Sequence, residues 1–275
     1  MILPGIQLEP PLVEPADPFG VMRDGHLSIL CEHMSYRENR GYIVAIESMN
    51  AGGATRVAIG PVNPVHMSYP YLLQMGERMM CVPETSAARE VTLYESEHFP
   101  DRWVKVATLV TDAALVDATL FEFGEYWWLA ASEVADRGAN SELHLWYARS
   151  VIGPWHPHPG NPVKVDVRSA RPAGTPFVVD GTLYRPAQDC SRTYGGRVII
   201  NRVHTLSPVA FREEAFAYVD PDPAGPYPEG LHTLSQVGNA TLIDGKRIIF
   251  IPAEFSRVLA KKLASMFNRP RTAAH

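Results

Sequence analysis

The chain has 275 residues, of which 46% are hydrophobic, and its 25 Lys and Arg against 30 Asp and Glu give a formal net charge of −5. A chain of this length buries roughly three quarters of its unfolded surface, and its acidic balance argues against a nucleic-acid partner, which needs clustered Lys and Arg. No apolar run reaches the length of a membrane span and the N-terminus lacks a signal-peptide pattern, so we expect no membrane span and a cytoplasmic protein.

One pattern occurs five times in chain order: a short opening, an apolar run, a turn glycine, and an apolar strand that ends on a polar residue. The openings are Ala16-Asp17-Pro18-Phe19, Ser68-Tyr69-Pro70-Tyr71, Val116-Asp117-Ala118-Thr119, Ala170-Arg171-Pro172-Ala173 and Gly230-Leu231-His232-Thr233. The turn glycines are Gly25, Gly76, Gly124, Gly181 and Gly245, about 50 to 65 residues apart. The strands that follow these glycines end near Glu32, Glu84, Ser132, Gln188-Asp189 and Glu254.

A period of this length is typical of four-stranded sheets that repeat around an axis. Outer strands follow within the repeats, at residues 41–47, 91–95, 143–149 and 197–203. The sequence therefore predicts an all-β fold, a five-bladed β-propeller of four-stranded antiparallel blades over residues 1–255.

The C-terminal segment has a different pattern. Apolar residues alternate with Lys and Arg at helical spacing from residue 254 to 268. We expect a short C-terminal amphipathic helix and tail over residues 256–275, which either packs on the propeller rim or contacts a membrane or a partner.

The three cysteines, Cys31, Cys81 and Cys190, show no metal-binding spacing. They predict neither a disulfide framework nor a zinc site, and each falls in or just after an apolar strand, as buried cysteines do.

The repeat also predicts where chemistry lies. In a propeller the first strand of each blade lines the central channel, so residues at equivalent openings converge on one pocket. Asp17, Tyr69, Asp117, Arg171 and His232 occupy these places. Two carboxylates, a guanidinium, an imidazole and a phenol are therefore expected to face one another.

Further motifs accompany the openings, among them His66-Met67-Ser68-Tyr69-Pro70, Val82-Pro83-Glu84-Thr85-Ser86, Phe99-Pro100-Asp101-Arg102-Trp103, His158-Pro159-Gly160-Asn161-Pro162 and Arg185-Pro186-Ala187-Gln188-Asp189. On the basis of these motifs, the segment from about residue 15 to residue 255 resembles the five-bladed propellers of glycoside hydrolase family 43 and its relatives. They resemble more closely the propeller domain family named after the N-terminal part of the plant glucosamine inositolphosphorylceramide transferases.

The resemblance to the hydrolases implies roles for individual residues. Asp17 matches their general base, and Asp117 matches the carboxylate that orients and tunes the site. The position of their acidic Glu falls on Arg171, which cannot donate a proton because its pKa stays above ~12. Glu84 and Asp189 are the substitutes we consider for the acid, since a glycosidase needs paired carboxylates. A structural hydrogen-bonding role remains the alternative for each.

Other residues are candidates for binding a substrate. Arg171 suggests an anionic sugar ligand through bidentate hydrogen bonds, or instead an internal ion pair with Asp117 or Asp189. The other expected sugar-binding residues are His232, Tyr69, His66, Gln188 and Glu32, with a core role as the alternative for the aromatic ring.

His232 resembles the fifth-blade histidine that lies near a calcium ion or water in many members of family 43. We expect no required cofactor and no metal ligand, with a structural calcium or sodium ion near His232 as a minor possibility.

Three functions follow. The preferred one is a carbohydrate-active enzyme, a glycosidase or transglycosidase, that cleaves or transfers a glycosyl unit with the pocket carboxylates. The alternative is a non-catalytic carbohydrate-binding propeller accessory to a glycan-modifying transferase. A purely structural propeller is disfavoured, because an interaction surface needs no carboxylates in the channel. The expected partner is a sugar or glycoconjugate, and the oligomeric state stays open.

Overall fold

The computed structural model describes residues 15–23, 25–35, 38–46, 55–61, 64–134 and 139–248. Within these residues, antiparallel strands form four sheets of at least four strands and one sheet of two strands. The predicted all-β propeller is confirmed, although four blades rather than five are complete in the described ranges. The predicted C-terminal helix and the boundary at residue 255 lie outside the described residues.

Each blade is a meander in which successive strands pair in order. The first blade contains β1 to β4: Pro15–Arg23, His26–Ser35, Arg40–Ile46 and Thr55–Arg56. The second contains β5 to β8: Ser68–Met75, Arg78–Glu84, Glu90–His98 and Arg102–Thr111. A short 3-10 turn, Ser86–Ala88, joins β6 and β7.

The third blade contains β9 to β13: Leu115–Phe123, Tyr126–Glu133, Glu142–Ala148, His156–Pro157 and Lys164–Val165. In this blade both short strands, β12 and β13, pair with β11. The fourth blade contains β14 to β17: Phe177–Val179, Thr182–Asp189, Arg197–Ser207 and Ala210–Val219. The two-stranded fifth sheet contains β18 and β19: Leu234–Val237 and Ala240–Ile243.

The ring closes where the fifth sheet packs against the first blade, since both β18 and β19 contact β1. The innermost strands β1, β5 and β9 also contact one another in sequence around the axis. No helix among the described residues is long and apolar enough to cross a membrane.

Four of the five predicted turn glycines lie in the turn between the first and second strands of a blade, with positive φ that an L side chain rarely adopts. The fifth prediction, Gly245, is wrong. The corresponding turn lies at Gly238, with φ of 57°, between β18 and β19. The dipeptide Asp244-Gly245 matches the turn at Asp180-Gly181 in sequence, but Asp244 directly follows β19 and its carboxylate accepts hydrogen bonds there.

Three innermost strands begin with the same irregularity. The pairing register shifts between Ala16 and Phe19 and between Ser68 and Tyr71, and again opposite the start of β9. At these places Asp17, Tyr69 and Asp117 have φ of 52°, 43° and 53°. Such β-bulges re-aim side chains beside the strand, and here they do so at equivalent positions of three blades.

Tyr69 joins three blades from within the core. Its side chain has no exposed surface and packs edge-on against Phe19. Its hydroxyl accepts the Gly174 N–H of the fourth blade at 2.7 Å and lies 2.8 Å from Thr119 Oγ1 of the third. Thr119 donates its own proton to the Asp117 carbonyl, so Tyr69 is the donor to Thr119.

We predict that Tyr69→Phe lowers the free energy of unfolding by about 1 to 3 kcal/mol, because the substitution leaves the buried Gly174 N–H without an acceptor. Urea denaturation measures the loss. Tyr126→Phe is the control, since the Tyr126 hydroxyl bonds only the exposed Arg149 in the described structure, and it is expected to cost less than about 0.5 kcal/mol. Equal effects of the two substitutions would contradict the role of Tyr69.

Candidate functional site

The openings of the blades bring four of the five predicted residues together. Asp17, Asp117, Arg171 and His232 form one network of ion pairs and charge interactions, although up to 215 positions separate them in sequence. The bulges at Asp17 and Asp117 direct their carboxylates to this place. The fifth residue, Tyr69, is buried in the core instead, and its hydroxyl is occupied by Gly174 and Thr119.

The ends of the second strands supply a second ring of polar residues. Glu32 and Glu84 pair with Ala16 and Ser68, each directly before the bulge residue of its own blade. Ser132 pairs with Val116 in the same register, and the Gln188 N–H donates to the Arg171 carbonyl. Asp244 follows β19 at the fifth position. We call the two rings together the axial site: Asp17, Glu32, Glu84, Asp117, Ser132, Arg171, Gln188, His232 and Asp244.

Arg171 binds Asp117 in a bidentate ion pair. Its Nε donates to Asp117 Oδ2 at 2.5 Å and its Nη2 donates to Oδ1 at 3.2 Å. Gln188 also donates to Asp117 Oδ2, at 2.8 Å, and the remaining Arg171 Nη1 donates to Asn140. The structure therefore shows the internal ion pair that the sequence left as one of two alternatives for Arg171.

Asp17, His232 and Asp244 form the second cluster of charges. His232 Nε2 lies 3.3 Å from Asp17 Oδ1 and His232 Nδ1 lies 2.8 Å from Asp244 Oδ2. Burial opposes the charge on His232, but the two carboxylates outweigh it and raise the pKa of His232 to about 9. Burial also raises the pKa of Asp17 to about 6, against the attraction of His232.

Glu84 and Glu32 hold protons more tightly than ordinary carboxyls. Burial, together with the charge of Asp117, raises the pKa of Glu84 to about 8. Burial and the charge of Asp17 raise the pKa of Glu32 to about 7. Glu84 accepts the Asp117 N–H at 3.3 Å, whereas Glu32 has a longer contact, 3.4 Å, with His66 Nε2. These shifts place both glutamates in the range in which a general acid works at neutral pH.

His66 lies at the margin of the site in its neutral form. Its Nδ1 accepts the Gly41 N–H at 2.9 Å, so Nε2 carries the proton and faces Glu32. Burial lowers the pKa of His66, which keeps the ring uncharged at neutral pH.

Asp189 is the predicted catalytic residue that the structure leaves outside the axial site. It adjoins Gln188 on β15, and successive side chains of a strand point to opposite faces. Asp189 accepts hydrogen bonds from Ser191 and pairs with Arg197 at 3.0 Å. These bonds outweigh burial and lower the pKa of Asp189, so its proton is not available for acid catalysis.

The predicted site residues did not include Ser132 and Asp244 of the axial site, or Tyr194 beside it. The sequence does not single out Asp244, because the dipeptide Asp244-Gly245 has the pattern of a turn. Tyr194 lies in the loop between β15 and β16, with its ring against both Arg171 and His232, and is 44% exposed. Gly195 allows this approach, because an added Cβ would lie 2.6 Å from the His232 Cβ. The sequence contains no spacing signal for Tyr194, since loop positions follow no period.

The donor atoms near His232 can be compared with those that calcium, the minor possibility raised by the sequence, requires. Asp17, His232 and Asp244 place ligand atoms within 4.8 Å of one another. Both oxygens of Asp244, however, face N–H groups: those of Asp17, Thr233 and the backbone and ring of His232. Calcium prefers six to eight oxygen ligands, so this cluster, as folded, does not fit calcium.

Two surface cavities among the described residues lack the paired acids. One is lined by Tyr126, Tyr147 and His156, and another by Phe123, Arg202 and His204, and neither lining includes a carboxylate. The chemistry expected from the sequence therefore concentrates at the axial site.

We predict that the free energy of unfolding falls as pH rises from about 5 to 8. Glu84, Glu32 and Asp17 have folded-state pKa values above their ordinary values, so the folded state binds more protons than the unfolded state in this window. Glu84→Gln removes one titrating group and should flatten the slope by up to about 1.4 kcal/mol per pH unit.

Urea denaturation at a series of pH values measures this slope. Glu95→Gln is the control, because Arg78 lowers the pKa of Glu95 and any contribution of that residue to the slope lies below about pH 4.5. A Glu84→Gln slope identical to that of the wild type would show that Glu84 titrates normally.

Comparison with known proteins agrees with this architecture. The protein family described as glucosamine inositolphosphorylceramide transferase 1, N-terminal, matches residues 11–222. The protein named Glucosamine inositolphosphorylceramide transferase 1 from Oryza sativa subsp. japonica is 32% identical over 203 residues, which cover 72% of this chain and 27% of the relative. Its namesake from Arabidopsis thaliana is also 32% identical, over 26% of its length. The chain thus matches about a quarter of these relatives.

Solved structures share the fold at low identity. A family 117 glycoside hydrolase from Zobellia galactanivorans aligns with a TM-score of 0.55 at 12% identity, covering 80% of this chain and 73% of that one. A GH43_1 enzyme from Xanthomonas citri aligns with a TM-score of 0.56 at 12% identity, covering 86% and 82%. Together with the family match, which covers most of the sequence, these findings show that the chain belongs to the family of the N-terminal domain of glucosamine inositolphosphorylceramide transferase 1.

Proposed function

We propose that the axial site binds one glycosyl unit without hydrolysing it, and that the protein is a carbohydrate-binding propeller accessory to glycosyl transfer. The observation that carries the proposal is the bidentate pair of Arg171 with Asp117. Asp117, which resembles the orienting carboxylate of the hydrolases, is bound to Arg171 in this pair. Arg171 itself stands at the position where the hydrolases have their acid.

The remaining candidates support the same conclusion. Asp189 is bound by Ser191 and Arg197, outside the axial site. Glu84 accepts the Asp117 N–H and the Ser86 hydroxyl, so both of its oxygens have partners within the fold. Proton transfer to a leaving group needs a carboxyl within hydrogen-bond reach of the substrate oxygen, which favours binding over cleavage here.

The charges of the site indicate the class of ligand. The site holds an excess of acids: five acidic side chains, those of Asp17, Glu32, Glu84, Asp117 and Asp244, lie with two cations, Arg171 and His232. Burial and mutual repulsion raise the pKa values of Asp17, Glu32 and Glu84. A ligand ammonium group would relieve this excess. The Ser132 hydroxyl, fully buried in the second ring, has no hydrogen-bond partner among the described residues and leaves a further polar group for a ligand.

We therefore favour an amino sugar over the anionic sugar expected from Arg171 alone, because the guanidinium already binds Asp117 and Asn140. The names of the plant relatives contain glucosamine, which is an amino sugar. Tyr194, partly exposed beside Arg171 and His232, offers an aromatic ring on which a sugar can stack.

Isothermal titration with methyl glycosides tests this proposal at pH 7. Methyl glucosaminide is expected to bind at least about tenfold more tightly than methyl glucoside, methyl N-acetylglucosaminide or methyl glucuronide, since only its ammonium pairs with the acids. Glu32→Gln should remove most of this preference. Glu214→Gln, which changes an exposed carboxylate paired with His204, should leave it intact.

Tighter binding of the glucuronide would favour the anionic ligand and contradict the amino-sugar proposal. Absence of binding to every glycoside would contradict the carbohydrate site itself.

Glycoside hydrolysis is the second candidate, and the raised pKa of Glu84 is the observation that favours it. In that mechanism Glu84 protonates the leaving oxygen. Asp17 either attacks the anomeric carbon or activates the water that attacks it. We expect no turnover of nitrophenyl glycosides by the wild-type protein. Turnover that falls at least about a hundredfold in both Asp17→Asn and Glu84→Gln, but not in Asp189→Asn, would establish hydrolysis instead.

A further inference from the structure

The junction of the first and last blades lies inside the axial site and centres on Asp244. Asp244 Oδ1 accepts the backbone N–H groups of His232 and Thr233 at 3.0 and 2.9 Å. Asp244 Oδ2 accepts the Asp17 N–H, at 3.2 Å, from the other side of the junction. One buried carboxylate thus connects the start of β1 with the opening of the fifth sheet.

The same carboxylate determines the orientation of the His232 ring. Because Asp244 Oδ2 accepts the proton of His232 Nδ1, the opposite ring nitrogen, Nε2, faces Asp17 Oδ1. Asp17 Oδ1 also accepts the Thr233 hydroxyl at 2.5 Å. The Asp17 side chain is therefore held by two groups of the fifth blade, and one of them depends on Asp244.

Glu84 of the second blade and Asp244 of the fifth sheet both accept a backbone N–H, but only Asp244 has a second role. Glu84 accepts the Asp117 N–H at 3.3 Å, just as Asp244 accepts the Asp17 N–H at 3.2 Å. Each acid supplies an acceptor to the left-handed residue that opens the next blade. Among the described acids of the second ring, Asp244 alone also orients a histidine through Nδ1, so its role exceeds backbone capping.

We propose that Asp244 is a positioning residue of the axial site, which holds the His232 ring and the Asp17 carboxylate in their mutual orientation across the closing junction of the ring. Ligand binding at Asp17 then depends on closure between the first and fifth blades. This inference rests on the proposed function only for the ligand, since the orientation of His232 is measurable in the free protein.

The test compares Asp244→Asn with the wild type by NMR of the imidazole nitrogens and by titration with methyl glucosaminide. The charged groups that act on His232 are Asp17 from β1, Glu32 from β2, Asp117 from β9 and Asp244 after β19. Removing the Asp244 charge should lower the His232 titration midpoint by at least about one pH unit and shift the Nδ1 resonance, and it should weaken the glucosaminide at least about tenfold.

Asp189→Asn is the matched control, a buried carboxylate paired with Arg197. We expect it to lower stability without moving the His232 titration. Asp244→Glu keeps the charge, so its His232 titration midpoint should lie between those of Asp244→Asn and the wild type. This variant replaces Asp244→Asn in the test if Asp244→Asn does not fold.

An unchanged His232 titration in folded Asp244→Asn, or an unchanged Nδ1 resonance in Asp244→Glu if only that variant folds, would overturn the inference. A shifted His232 titration in a protein that binds no glycoside would support the positioning of His232 while contradicting the proposed function.

Discussion

The arrangement of the axial site depends on a backbone constraint at the start of the innermost strands. Asp17 and Asp117 adopt left-handed φ values, and this conformation removes their N–H groups from the regular ladder. A buried N–H needs an acceptor, and the acids Asp244 and Glu84 provide one from the preceding blade. The same bonds that satisfy the backbone therefore bring carboxylates of neighbouring blades together.

The concentration of acids has an electrostatic cost that the protein offsets in two ways. Arg171 and His232 each lie against a carboxylate of the first ring, at Asp117 and Asp17. Glu84 and Glu32 instead hold their protons to higher pH, which reduces the number of buried charges. The axial site therefore holds both charged and protonated carboxyl groups at neutral pH.

The sequence repeat was sufficient to predict the propeller and the meeting of Asp17 with Asp117, because both follow from blade period and strand order. It did not predict which way individual side chains point. Tyr69 occupies an equivalent opening yet turns into the core, where its hydroxyl bonds two other blades. Asp189 and Gln188 are neighbours on one strand, and the alternation of side chains decides that only Gln188 reaches Asp117.

The predicted and the observed fifth blade differ in the position of one turn. An Asp-Gly dipeptide is a strong turn signal, but at Asp244 the carboxylate is needed as an acceptor and the turn lies at Gly238. The hydrogen bond between Asp244 and Asp17 spans 227 positions of sequence. Contacts of such long range form late in folding because the loop must close first. During synthesis the nascent chain therefore has to wait for its last described strands to emerge before the axial site can assemble.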